Sequence, residues 1–291
     1  MRVSRVVGII PVTEAPVERT QPMDSADTRY AYPWREDFLE GSSFVVGGAS
    51  SGLGRAVAEQ LLTSGARVLL VARKAEALQE TARQLGEGAF VCAADLATPG
   101  GTEVIVEEAA RRFGTIAGVL LNAGGGPPSA SALGVSDEQW RDAFDLLVGG
   151  PLRFLRGLLP ITQEGSSVLF VTATSVRQPV PGLAVSNVLR PGVAALVKML
   201  AQELAPAIRV NSLAPGRFDT AYVRRLEQVW AQESGVSEEE QRRTASARIP
   251  MGRYGSPQEF GRAATFLLSP AASYITGTSL QIDGGMVSAI P

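Results

Sequence analysis

Residues 43–54, SFVVGGASSGLG, decide the fold. Ser43–Gly47 is a short apolar run that reads as a buried strand, followed by a glycine turn and the opening of a helix. Gly48, Gly52 and Gly54 stand in a G-x-x-x-G-x-G spacing. Gly48 lets the chain turn sharply out of the strand. Gly52 lets the main chain approach a pyrophosphate, and Gly54 lets the helix pack with no Cβ in the way. A helix starting there aims free N–H groups and its positive dipole end at that anion. Ser50, Ser51 and Leu53 complete the turn and count with the glycines as candidate cofactor contacts. The plain alternative is a tight turn that binds nothing. Three glycines between an apolar strand and an amphipathic helix favour the dinucleotide context.

Downstream of this turn, strand and helix patterns alternate. Six more short apolar runs read as strands: Arg67–Ala72, Ala89–Cys92, Gly118–Asn122, Ser167–Thr172, Ile208–Leu213 and Ser279–Ile282. Continuous apolar character suits strands covered by helices on both faces. Leu53, Val57 and Leu61 form a helical stripe, as do Ala75, Leu78, Ala82 and Leu85. Ser136 with Gln139 reads as a capping box opening a long fourth helix, and Ser256, Pro257 and Glu259 open another. Repeated β-α-β units with right-handed crossovers predict an α/β fold: a Rossmann-type doubly wound parallel seven-stranded sheet with helices on both faces.

Composition narrows the chemistry. The 291 residues carry 27 basic and 29 acidic side chains, with no cationic block to favour nucleic acid or an anionic membrane. The single cysteine, Cys92, excludes an internal disulfide and a thiolate metal cluster and suits a reducing, cytoplasmic setting. There is no histidine, so Ser-His-Asp and Cys-His catalysis and imidazole metal sites are excluded, and no metal site is expected. No apolar run reads as long enough to cross a membrane. Residues 1–40 carry Pro11, Pro16, Pro22 and Pro33 without a sustained period and read as a mostly irregular arm. Tyr30, Tyr32 and Trp34 are its candidates for docking, Met23 is an alternative start, and MRVSRVVGIIPV reads as a tail rather than a signal peptide. Residues 41–291 then form one domain.

Several segments in this order resemble the short-chain dehydrogenase/reductase family, nearest its 3-oxoacyl-carrier-protein reductase branch, over about residues 42–287. GGASSGLG is similar to the family's glycine motif, with Gly47 where threonine is usual. Asp95 in AADL, followed by Leu96, resembles the aspartate that holds the adenine. Asn122-Ala123-Gly124 resembles the Asn-Ala-Gly after the fourth strand. NSLAPG, ending in Pro215-Gly216 and followed by Thr220, resembles the loop beside the nicotinamide. IPMGRYGSPQEF and SYITGTSLQIDGG resemble the closing segments. Asp95 and Asn122 each keep a plainer reading as turn caps.

An NAD site places Asp or Glu about 20 residues past the glycines, on the ribose 2′-hydroxyl. Here Ala72 holds that place, with Arg73 and Lys74 behind it. An arginine can bind a 2′-phosphate in bidentate fashion, so NADP(H) is the expected cofactor. The alternative is that both are ordinary solvated residues.

The resemblance implies a Tyr-x-x-x-Lys pair, a serine and an asparagine as the catalytic row. Only the serine survives, as Ser175. Ser186 falls at the tyrosine position, Arg190 at the lysine position and Leu147 at the asparagine position. An alkyl hydroxyl is a far weaker acid than a phenol, and Arg190 cannot pass on a proton. Arginine for lysine is also similar to halohydrin dehalogenases, but those keep the tyrosine and lose the glycines, the reverse of this chain. Ser175, Ser186 and Arg190 are the candidate catalytic residues, and Arg190 is also a candidate cofactor contact. The expected substrate is a small carbonyl or alcohol; the alternative is a nucleotide-binding sensor or partner subunit without turnover. Tyr222 and Tyr254 flank a charge-rich candidate lid at about 221–248 and are the candidates for a substitute proton donor, with lid packing as their plainer reading. The resemblance also implies a homo-oligomer, tetramer or dimer, with Leu152, Phe154, Leu155 and Leu158 offering apolar surface.

Overall fold

The strands of the computed structural model run in the order β3-β2-β1-β4-β5-β6-β7, and every pairing is parallel. The structure describes residues 37–124, 129 and 131–289. The arm is therefore almost wholly outside the described residues, as are Met23, Tyr30, Tyr32 and Trp34.

The strands are β1 Ser43–Gly47, β2 Arg67–Ala72, β3 Ala89–Ala93, β4 Ile116–Leu121, β5 Thr162–Val171, β6 Ile208–Pro215 and β7 Ser279–Ile282. The α-helices are α1 Gly52–Thr63, α2 Ala75–Leu85, α3 Pro99–Phe113, α4 Asp137–Phe144, α5 Gly150–Leu158, α6 Ala184–Leu204, α7 Ala221–Ser234, α8 Glu238–Ala247 and α9 Pro257–Leu268. All seven predicted strands form; β1, β2 and β7 keep their predicted ends and the other four are shifted. β4 begins at Ile116 and stops before Asn122, and β5 starts at Thr162.

Alternating side chains of the central strands divide the core into two layers. Phe44, Val46, Val68 and Leu70 pack under α1 and α9, beside Val57, Leu61, Phe260 and Leu267. Val45, Leu69 and Val119 pack on the other face under α3, α5 and α6, beside Ile105, Phe154 and Val197. Burying each large apolar side chain stabilises by about 1.5–3 kcal/mol. The chain runs outward from β1 to β3 and returns to β4 beside β1. That reversal leaves a crevice beyond the carboxyl ends of β1 and β4, where such sheets take ligands.

Three expectations need correction. The long fourth helix is interrupted: a π-helical turn, Asp145–Gly149, separates α4 from α5. A Cβ on Gly150 would lie 2.6 Å from the Leu96 carbonyl oxygen, so α5 starts hard against the segment that follows β3. Phe154, Leu155 and Leu158 are core residues rather than apolar surface, and Leu152 packs against them half-buried. The exposed apolar side chains nearby are Phe144, Val188 and Met199. Finally, α6 is long and apolar enough by length and composition to cross a membrane. Its face of Arg190, Val193, Val197, Leu200 and Ala201 is nevertheless buried at helical spacing, as in a core helix.

Candidate active site

One half of the crevice is made of backbone. Gly48 and Gly52 adopt φ +65° and +56°, in the left-handed region where glycine alone is unstrained. A Cβ on Gly48 would lie 2.7 Å from Asn122 Nδ2, and one on Gly54 would lie 2.3 Å from the Gly48 carbonyl oxygen. Gly54 thus packs the helix onto the turn itself, and Asn122 fills the concave side of that turn. A Cβ on Gly52 meets only ordinary contact, 3.5 Å from Thr220 Cγ2, so its backbone angle demands glycine there. The same proximity brings the Pro-Gly loop, through Thr220, against the glycine turn.

The amino end of α1 has no side-chain cap, and Ser51 before it is extended and exposed. By contrast α3, α4, α7, α8 and α9 each direct a Ser or Thr hydroxyl onto the third helical N–H. An uncapped helix start leaves backbone donors for an outside acceptor. Asp95 Oδ1 accepts from Ala97 N–H at 2.9 Å, while its carbonyl accepts from Thr98 Oγ at 3.1 Å. Asp95 therefore shapes the turn after β3. Leu96 beside it comes within 3.0 Å of a Cβ placed on Gly47. Ser50 gives its carbonyl to the Thr81 hydroxyl at 3.2 Å. Arg73 and Lys74 are exposed at the end of β2, and Arg73 has no protein hydrogen bond or ion pair among the described residues.

The other half is made of side chains. Ser175 Oγ lies 3.2 Å from Ser186 Oγ, and both belong to the crevice wall where β5 ends and α6 begins. Arg190, one turn further along α6, is only 6% exposed. Its guanidinium donates to the carbonyls of Val171, Ala123 and Gly124, so it ties together the ends of β5 and β4. Burial pushes it down to about 10, still charged at neutral pH. Leu147 lies buried in the π-helical turn. The Asn187 side chain holds both backbone groups of Val180, at 2.9 and 2.8 Å, and fixes the loop entering α6. Pro215 ends β6, and Gly216 N–H donates to the Ile282 carbonyl at 2.8 Å. A Cβ on Gly216 would strike Asp283.

Helix α7 covers this half. Thr220 caps it, accepting from Val223 N–H at 3.3 Å. Tyr222, Leu226 and Trp230 follow at four-residue spacing on one face. Tyr222 sits within electrostatic reach of Arg190, and Trp230 comes within 2.9 Å of a Cβ placed on Gly182. Behind α7 lies a charged knot. Glu227 is 3% exposed, accepts from the Tyr254 hydroxyl, and pairs with Arg217 at 3.6 Å and Arg242 at 3.3 Å. Arg242 also pairs with Asp219 at 3.1 Å and lies over the Tyr254 ring. Burial and the Glu227 bond push the Tyr254 phenol up to about 12. Tyr254 is thus committed to packing. A cleft of about 490 Å³ opens beside this knot, but Ser175, Ser186 and Arg190 do not line it.

The sequence named the glycine turn, Asn122, Ser175, Ser186, Arg190 and Thr220, and the structure gathers them around one crevice. It did not foresee that Trp230 reaches Gly182, for which the i, i+4, i+8 spacing on α7 was the signal.

This sheet order, glycine turn and crevice define a dinucleotide-type α/β protein, and comparison with known proteins agrees. The family model described as enoyl-(acyl carrier protein) reductase matches residues 48–287, and the chain belongs to the short-chain dehydrogenase/reductase family of oxidoreductases. It is 32% identical over 260 residues to human dehydrogenase/reductase SDR family member 4, covering 87% of this chain and 90% of that one. Among solved structures it is similar to L-sorbose reductase of Gluconobacter frateurii complexed with NADPH and L-sorbose, with TM-score 0.81 and 29% identity. That match covers 88% of this chain and all of the other. It is also similar to the 3-ketoacyl-(acyl-carrier-protein) reductase of Brucella melitensis complexed with NADH, with TM-score 0.76 and 32% identity, covering 85% and 99%. A third is an NADPH-bound short chain oxidoreductase of Pseudomonas aeruginosa containing an atypical catalytic center, with TM-score 0.77 and 30% identity, covering 86% and 98%.

Proposed function

We propose that the chain is an NADP(H)-dependent reductase of small carbonyl compounds whose usual catalytic row has been replaced, with Ser186 and Arg190 standing for the tyrosine and lysine and Leu147 for the asparagine. The uncapped start of α1, between Gly48 and Gly52 and beside the open end of β2, carries this reading. Those residues fit a dinucleotide: Ser51 to Gly54 offer N–H groups to its pyrophosphate, and Arg73 offers its fork to a 2′-phosphate. Asp95, Leu96, Asn122, Ala123, Pro215, Gly216 and Thr220 line the remaining length. The bound cofactor supplies hydride.

Within the chain, the paired hydroxyls of Ser175 and Ser186 orient a substrate oxygen. Arg190 supplies positive charge where oxyanion character develops, and α7 excludes water. Neither serine is a strong enough acid to replace a phenol. Losing a positioned general acid costs about 10²–10⁴ in rate, roughly 3–5 kcal/mol of barrier. NADPH binding in the relative with an atypical centre supports retention of nucleotide binding when the row changes. The competing reading, nucleotide binding without turnover, draws on the missing amine and phenol on α6. A cytoplasmic homo-oligomer, tetramer or dimer, with residues 1–40 as an arm and 221–248 as a lid, completes the proposal.

Calorimetric titration of NADPH, followed by a carbonyl screen with NADPH, tests it. Binding with slow turnover of some ketone or aldehyde is expected. Binding with no turnover across the panel favours the competing reading, and no binding refutes both.

A further inference from the structure

We propose that Glu227 is a latch: its buried carboxylate fastens α7 and α8 down over the crevice, and its release governs how fast a nucleotide enters and leaves. The fastening stands on geometry alone. The gating rests on the reductase reading and deepens it.

Apolar packing holds this pair of helices weakly. Neither α7 nor α8 contributes a side chain to either of the two core layers. Their apolar cluster is small: Ala245, Ile249 and Tyr254, with Val223 and Met286 against them. Among the described residues, α7 and α8 pack chiefly on each other rather than on a strand or another helix. Elements with so little shared core open locally at low cost.

Charge supplies what packing lacks. One Glu227 oxygen accepts from the Tyr254 hydroxyl and lies 3.6 Å from Arg217 Nη1. The other accepts from Arg242 Nη1 at 3.3 Å. Arg217 follows β6 and Tyr254 precedes α9, so both belong to the body of the domain, whereas Arg242 is on α8. A single carboxylate on α7 therefore joins the two helices to each other and to the body. The Arg217 guanidinium also lies 5.1 Å from the Trp230 ring centre, on the same helix as Glu227. Asp219 makes a second link, to Arg224 and Arg242, but those pairs are open to solvent and are screened. Glu227 is buried, and removing its charge leaves two guanidinium groups uncompensated.

The fastened helix lies across the way in. Thr220 Cγ2, at its amino end, is 3.5 Å from a Cβ placed on Gly52, and Trp230 is 2.9 Å from one placed on Gly182. Ten helical residues span about 15 Å, so α7 reaches from the glycine turn to the loop that enters α6. Entry and exit beneath it need α7 to lift. While the closed form dominates with and without ligand, loosening the latch speeds entry and exit by the same factor. The dissociation constant then stays nearly unchanged.

Two measurements on the full chain test this. The first, without nucleotide, is backbone hydrogen exchange read by mass spectrometry. Glu227→Gln is expected to speed exchange in α7 and α8 by about tenfold or more and to leave α1 and the central strands at parental rates. Arg242→Gln, at a half-exposed position, is expected to act in the same direction and decides the matter if Glu227→Gln does not fold. Glu233→Gln, on the exposed face of α7, is the control. Parental exchange in α7 and α8 overturns the latch. So does acceleration spread evenly over the sheet, which would make Glu227 a support of the whole fold. The second is stopped-flow binding of NADPH, with association and dissociation both expected to rise about tenfold in Glu227→Gln. A weakened affinity with an unchanged association rate overturns the gating. Failure of NADPH to bind the parent defeats the reductase reading, whereas the latch stands or falls on exchange alone.

Discussion

The two halves of the crevice are built from different materials. Around β1 and α1 the site is backbone: a glycine turn at positive φ, an uncapped helix start and carbonyls packed at 2.3–2.8 Å from where side chains would stand. Around α6 and α7 it is side chains: two serines and a buried arginine, with α7 as cover. Backbone sites tolerate almost no substitution, because the constraint is steric. Side-chain sites can exchange their reacting groups while the scaffold stands still. On this view the nucleotide half is fixed and the reaction half is where this chain has changed.

The sharpest way to break the contrast is at the glycines. Gly54→Val places carbon against the Gly48 carbonyl, and Gly48→Ala does so against Asn122 while straining the backbone. Each is expected to abolish nucleotide binding and lower stability by about 1–3 kcal/mol, read by calorimetry and denaturant unfolding. Parental affinity in either variant would show the turn to be only architectural.

The reaction half should behave in the opposite way. Ser186→Tyr with Arg190→Lys returns phenol and amine to α6 and is expected to raise carbonyl reduction by about tenfold or more. Either change alone should do less, since the two act as a unit. Leu147 limits the gain. No gain in the double variant, with the fold intact by circular dichroism, would mean that α6 no longer aims these positions at the substrate.

Arg73→Ala probes the edge between the halves, where recognition passes from backbone to side chain. It is expected to weaken NADP(H) by about 1.5–3 kcal/mol, the range for a hydrogen bond to a charged group, and to leave NAD(H) nearly unchanged. An equal loss for both cofactors would point to the adenosine pocket instead.

The smallest effect on function is expected from Tyr254→Phe, which touches neither half. Removing its hydroxyl from Glu227 should cost about 1–3 kcal/mol of stability and leave nucleotide affinity alone. The pH dependence has a definite sign. The folded phenol titrates near 12, above its unfolded value of about 10. The stability this contributes is whole below pH 10 and is lost as pH rises through 12. Stability measured across that window should fall less steeply in Tyr254→Phe than in the parent.

What the sequence disclosed follows the same division. Gly48, Gly52 and Gly54 act over seven residues, so their spacing alone predicts the turn, and apolar runs such as Arg67–Ala72 predict their strands to the residue. Phe154, Leu155 and Leu158 were misplaced because an apolar helix face looks alike whether it meets the sheet or another subunit. The π-helical turn at Asp145–Gly149 ends where Gly150 packs tightly on Leu96, a contact between segments distant in sequence. The approach of Trp230 to Gly182 is of the same kind: no local period links the loop before α6 to a residue in α7. Spacing discloses what the backbone does locally, and it is silent on pairs formed by the fold.

The most direct measurement is a calorimetric titration of the parent protein with NADPH and with NADH. Saturable binding of both, with NADPH tighter by about tenfold or more, is the predicted result. Failure of either nucleotide to bind would contradict the reading of α1 and its glycine turn as a working dinucleotide site.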